Sequence, residues 1–96
     1  MAMLKSKWNK EFYYYVIPED FTTKDVREFE KLLEKEYKNY PESYTDYSCN
    51  EVNATALSEW LINDHGLEED FAADLAFCFS EYQETKLQEE FDQSVW

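Results

Sequence analysis

Asp70, Asp74, Glu81 and Glu84 follow one another at intervals of four, seven and three residues, with Phe77 in the gap. On an α-helix this spacing sets all four carboxylates and the ring along one stripe, because residues three and four apart are neighbours. Carboxylates so placed can shuttle protons, ligate cations, or simply present negative charge. Twenty-two acidic side chains among 96 residues make close carboxylate pairs a matter of chance. Hydrolysis by paired carboxylates would also need a sugar cleft that a chain this small hardly provides. The segment "LEEDFAAD" lacks the central glycine of a calcium loop. Nor does the chain carry a glycine-rich phosphate loop, a G-x-S-x-G elbow, an H-E-x-x-H pair or a Cys–His signature. No catalytic residue is therefore assigned, and the chemistry expected of the stripe is electrostatic.

Metals and cofactors are not expected either. Cys49 and Cys78 stand 29 residues apart with no CxxC pair, and His65 is the lone histidine, whereas structural zinc takes four well-spaced ligands. Both cysteines sit among apolar residues and read as small buried thiols. His65 precedes Gly66 at the expected end of a helix, where a partly positive ring suits the helix dipole.

The net charge of −13 is segregated. Residues 1–40 hold eight basic and eight acidic side chains, whereas residues 41–96 hold fourteen acidic ones and only Lys86 as a base. Positions 39–85 contain no lysine or arginine at all. Crowded like charge destabilises a compact chain, and solubility requires only a few units of it. Direct binding to nucleic acid or to an anionic membrane is opposed, because both depend on lysine and arginine meeting phosphate. A basic protein partner is favoured, with electrostatically steered association.

An acidic stripe on an amphipathic helix is ordinarily its solvated face, but ordinary solvated faces mix both signs of charge. Helical turns rise about 5.4 Å, and phosphates along a DNA strand step by roughly 3.4 Å. Carboxylates one or two turns apart can thus stand in for about every second phosphate. Glu59, Asp64, Glu68 and Glu69 extend the charge of Asp70, Asp74, Glu81 and Glu84. In general character the chain is similar to small phage- or plasmid-encoded DNA-mimic inhibitors, which block restriction enzymes, CRISPR effectors or other DNA-binding proteins. The likeness is one of composition and lends no residue roles.

Two further readings come from the same residues. Tyr40, Tyr44 and Tyr47 beside Glu42, Asp46 and Glu51 have the make-up of an aromatic anchor patch, as an immunity protein or antitoxin neutralising a nuclease would use. An acidic structural or adaptor subunit, burying exposed aromatics in an oligomer, is the third.

The elements that must position these residues are mainly helical. One glycine and two prolines leave little turn chemistry for a many-stranded fold, and 19% aromatic residues supply a core and argue against disorder. Residues 11–17 are dense in β-formers, and a strand there, ended by Pro18, puts Phe12, Tyr14 and Val16 on one face and Tyr13, Tyr15 and Ile17 on the other. Helical spacing of Leu4, Trp8, Phe12 and Tyr15 is the alternative. The strand's expected partner is either the segment 43–48 or a second chain, hence a possible homodimer.

A helix is expected over 23–40, capped by Thr22 or Thr23 and stopped by Pro41. Its inward stripe is Val26, Phe29, Leu33, Tyr37 and Tyr40, with Glu34 and Lys38 paired outside. The capping-box spacing of Ser48 and Glu51 predicts another helix from near Cys49, burying Cys49, Val52, Ala56, Trp60 and Leu61 and closed by Gly66 with Leu67 folding back. A last helix opens at Glu68 with Phe71, Leu75, Cys78 and Tyr82 inward, widened by Ala72, Ala76 and Phe79. The apolar phase slips towards Leu87, Phe91, Val95 and Trp96, which predicts a kink near Thr85.

The expectation is thus a single α+β domain, predominantly helical, with about three helices packed on a short N-terminal tyrosine-rich strand. An all-α four-helix domain is the alternative. No apolar run approaches a membrane-spanning or signal-peptide length, and a cytoplasmic setting is expected.

Overall fold

The computed structural model describes residues 2–8 and 14–95, with side chains from 3 to 8 and 14 to 90. It is a predominantly helical α+β fold, with three long helices, one single-turn helix and two small antiparallel hairpins among the described residues. The expectations for Phe12 and Tyr13, and for the side chains of Phe91, Val95 and Trp96, lie outside the described residues.

Strand β1 (Ala2–Lys5) pairs antiparallel with β2 (Tyr14–Ile17), in the register Ala2↔Ile17 to Lys5↔Tyr14. The partner of the tyrosine-rich strand is therefore the start of the chain, not the segment 43–48. Alternation holds: Tyr15 and Ile17 are buried, while Tyr14, Val16 and Met3 stay exposed on the outer face. Pro18 ends β2, and Phe21 donates its N–H back to the Pro18 carbonyl at 3.1 Å.

Helix α1 (Thr23–Asn39) begins with a reciprocal cap. The Asp25 N–H donates to the Thr22 hydroxyl at 3.2 Å, and the Thr22 N–H donates to the Asp25 carboxylate at 2.9 Å, which satisfies two otherwise orphaned donors. Its buried residues are Val26, Glu30, Leu33 and Tyr37. Tyr40, expected on this stripe, is exposed because the chain leaves the helix there and turns at Pro41 into α2 (Pro41–Tyr44). Glu34 pairs with Lys7 at 2.7 Å rather than with Lys38 as expected, and its carboxylate also accepts the Trp8 indole N–H at 2.8 Å.

The segment expected to open the next helix is instead a hairpin, β3 (Thr45–Asp46) with β4 (Glu51–Val52). Ser48 does not cap a helix, because its N–H and hydroxyl both turn back onto the Asp46 carboxylate. Asn50 takes a left-handed conformation, φ 55°, which reverses the chain. Helix α3 (Ala54–His65) starts five residues later than Cys49, capped by Asn53, whose side-chain oxygen accepts the Ala56 N–H at 3.0 Å. Gly66 ends it at φ 67° as expected, and Leu67 is buried behind it.

The hairpin also changes the cysteines. Cys78 is buried as expected, but Cys49 is exposed at the turn. Partial desolvation pushes the Cys49 thiol up, with a side-chain hydrogen bond to Asp46 and the Asp46 and Glu51 charges adding to this against one lowering backbone bond. Native protein should accordingly react with a disulfide reagent at one thiol, slowly at neutral pH and faster as the pH rises through the thiol range. The second thiol should react only after denaturation. Two fast equivalents under native conditions would contradict this burial.

Helix α4 (Glu69–Val95) runs 27 residues and continues without a break through Thr85. Good helix formers follow Thr85, whose hydroxyl donates to the Glu81 carbonyl at 2.9 Å. Phe71, Ala72, Leu75, Ala76, Cys78 and Phe79 are buried. Tyr82, expected inward, is 37% exposed at the rim of the core with Lys86 above its ring. At about 1.5 Å per residue α4 is roughly 40 Å long, most of the molecule's 47 Å extent. The core is bound by edge-to-face aromatic contacts, among them Phe79 with Trp8 and Tyr37, and Phe71 with Tyr15. Each such pair contributes about 0.5–1.5 kcal/mol beyond its burial.

Candidate partner-binding surface

Because α4 buries one face against α3 and β2, its opposite face is fixed in direction. There Asp70, Phe77 and Glu81 are exposed, and Asp74 and Glu84 are half-buried. Glu84 lies fourteen positions after Asp70, which on a helix is about 21 Å. Phe77 is 53% exposed, a phenyl ring set in the middle of a carboxylate row.

Neighbouring segments widen the row at both ends. Towards the start of α4, Glu68, Asp70 and Asp74 share a shallow depression of about 550 Å³ with Val16, Glu19 and Asp20. Towards its other end, Asp46 and Glu51 from the small hairpin face Glu81 and Glu84 across a depression of about 560 Å³ that also includes Phe77 and Ser80. An adjoining hollow of about 610 Å³ continues past Glu51, Glu81 and Glu84 to Glu89, with Cys49 at its edge. Among the described residues, no lysine or arginine lines any of these three.

The structure redistributes the expected sites. Asp46 and Glu51, assigned by sequence to an aromatic patch, join the acidic face. Glu59 and Asp64 are exposed on α3, and Glu69 at the start of α4, but they line none of the three depressions. Glu19, Asp20 and Glu89 belong to the acidic face and were missed by a reading of one helical stripe. Their charge was visible in the sequence, but their position depends on how the turn after β2 and the far end of α4 pack.

The three tyrosines of the expected aromatic patch differ in exposure. Tyr40 and Tyr47 are each 56% exposed, and Glu42 is exposed on α2. Tyr44 is half-buried, and its hydroxyl donates to Glu36 at 2.6 Å. Burial, with the adjacent Glu36 carboxylate accepting that bond, pushes its phenol well above the usual range. Tyr44 therefore acts as a brace between α1 and α2. Tyr47 instead lines a separate cleft of about 490 Å³ with Tyr37, Phe79, Tyr82, Lys38 and Lys86.

Local hydrogen bonding favours the charged form of Asp46. The Ser48 hydroxyl, followed by its backbone N–H and the Cys49 thiol, holds the Asp46 carboxyl below its ordinary range. The ion pairs Lys7–Glu34 and Arg27–Glu30 join residues of the neutral portion. His65 is taken up in packing, its ring 4.9 Å from Trp60 and 6.4 Å from Phe29 between centroids. Among the described residues, no three histidine, cysteine or acidic side chains are grouped to hold a metal ion, and no helix is long and apolar enough to cross a membrane. The arrangement can attract and orient cationic groups.

No protein-family model matches the chain, and no curated protein or solved structure is similar enough to match it.

Proposed function

We propose that the protein is a non-enzymatic acidic inhibitor, which occupies the nucleic-acid-binding groove of a basic protein by presenting charge in place of DNA or RNA phosphate. The observation that supports this reading best is the acidic face itself. Carboxylates from α4, the turn after β2 and the β3–β4 hairpin lie along one side, within a chain that has no base over positions 39–85. Asp70, Asp74 and Glu81 form its central row, with Glu68, Asp46 and Glu51 flanking them. Counter-defence of the anti-restriction or anti-CRISPR kind is the setting in which such a molecule is useful. The partner is a nucleic-acid-binding protein, and neither nucleic acid nor membrane is contacted directly.

The test is competition. Immobilised protein should capture a nucleic-acid-binding protein from host extract, and added DNA or RNA should displace it. Release should also be steep in salt, because the contact is between opposite charges. Capture that is indifferent to both salt and nucleic acid counts against the proposal.

A second reading, an immunity protein or antitoxin against a nuclease, is favoured by the exposure of Tyr40 and Tyr47, which lie close in sequence to the exposed Glu42 and Asp46. It differs in its energetics. Affinity resting on aromatic anchors should collapse when one or two tyrosines are truncated, whereas mimicry should decline gradually as acids are neutralised.

A further inference from the structure

We propose that Glu84 is a positioning residue of the acidic face, holding the β3–β4 hairpin in place, and not one of the charges that meets the partner. This rests on the reading of that face as partner-binding. The Val52 N–H donates to Glu84 Oε1 at 2.8 Å in a part-buried setting. In an antiparallel pair the backbone groups of successive residues point to alternate edges. Asn53 turns its N–H back to the Tyr44 carbonyl at 2.7 Å, so the Val52 N–H points the other way, to the edge of β4 where no further strand follows. Helix α4 lies at that edge, and Glu84 supplies the missing acceptor.

The hairpin needs such a hold. Its strands are two residues each, and a two-stranded ribbon is marginal by itself even at greater length. Val52 is its buried side chain, and the Glu84 bond fixes the direction in which the ribbon leaves α4. That direction decides whether Asp46 and Glu51 face Glu81 across the depression or swing away from it. A carboxylate accepting a backbone N–H forms a charge-assisted bond about twice as strong as a neutral one. Glutamine in its place retains an oxygen acceptor without the charge, and alanine retains neither.

The test compares Glu84→Gln with Glu84→Ala in the full chain. Hydrogen exchange of the Val52 amide is followed by NMR, and affinity is read with a fluorescent nona-arginine peptide at low salt. Glu84→Gln should leave Val52 exchange within about threefold of the unsubstituted protein and weaken the peptide no more than does Glu59→Gln, on α3 outside the three depressions. Glu84→Ala should speed Val52 exchange by about tenfold and weaken the peptide by about a further threefold. Equal affinities for the two variants, or unchanged Val52 exchange in Glu84→Ala, would overturn the proposal. Nona-arginine that fails to bind even the unsubstituted protein would overturn the partner-binding reading instead, a failure recognisable because the contrast in Val52 exchange survives it.

Discussion

Replacing Glu30 with alanine is expected to destabilise the fold by on the order of 3 kcal/mol, measured as a shift in the urea midpoint at constant slope. Glu30 is fully buried. Its carboxylate accepts the Lys7 N–H at 2.9 Å, the Tyr15 hydroxyl at 3.2 Å and Arg27 Nη1 at 2.6 Å. Arg27 reaches further to the Lys5 carbonyl with Nη2, at 3.0 Å, so the glutamate and arginine together clasp the N-terminal hairpin onto α1. Alanine would leave the Lys7 N–H without its carboxylate acceptor. Tyr15 would keep the Ser6 hydroxyl as a partner at 2.9 Å, and Arg27, with 39% of its side chain exposed, would regain water. Those two facts hold the expected loss to the lower end of what breaking a buried ion pair costs, about 3–5 kcal/mol.

Glu30→Gln separates the clasp from the charge. Self-repulsion alone would make any acid-to-amide change stabilising in a chain of net charge −13. At this site the sign should reverse, with a loss of about 2 kcal/mol. An amide has one oxygen where three donors converge, so its NH₂ must oppose one of them. A Glu30→Gln protein as stable as the original would show that the clasp contributes nothing.

Neutralising the acidic face should act in the opposite sense. A variant carrying Glu68→Gln, Asp70→Asn, Glu81→Gln and Glu51→Gln, all exposed, is expected to hold its stability or gain slightly, since four mutually repelling charges are removed. Its affinity for the captured basic partner should fall by on the order of a hundredfold, accumulated as about threefold per exposed charge. The salt dependence of binding should flatten in parallel. Titration of the single, double and quadruple variants by calorimetry across salt would read both effects. A steep loss concentrated in one substitution, with the others silent, would favour an anchored inhibitor over a charge mimic.

How far the sequence disclosed this depends on whether each signal was local. Helix α1 was legible because Thr22, Asp25 and the apolar stripe act within a few residues, and Gly66 because a left-handed helix end favours glycine. Glu30 was half-legible. The spacing 26, 30, 33, 37 puts it in line with Val26, Leu33 and Tyr37, yet a glutamate reads as solvent-facing by type, and only the tertiary approach of Lys7, Tyr15 and Arg27 makes its burial tolerable.

The β3–β4 hairpin was misread because Ser48 and Glu51 have capping-box spacing, and the same serine also suits a turn on Asp46. The turn prevailed, and the helix start moved to Asn53. Strand β1 left no mark because its ladder uses backbone groups, and "AMLK" advertises nothing. The carboxylate row on α4 followed from periodicity. The meeting of Asp46 and Glu51 with Glu81, or of Glu19 and Asp20 with Asp70, is a product of packing between segments far apart in the chain.

The unbroken course of α4 has a kinetic consequence. Its inner face is tied into the core from Phe71 to Phe79, so the backbone carrying Asp70, Asp74 and Glu81 is already ordered before any partner arrives. Association then has only side-chain rotamers to immobilise along that row, about 0.5–1.5 kcal/mol for each long side chain, with no segment left to fold. A rigid, pre-arranged charge pattern favours steered encounters towards the diffusion limit, and variants of the row would then alter the on-rate at low salt while leaving dissociation to the contacts around Phe77.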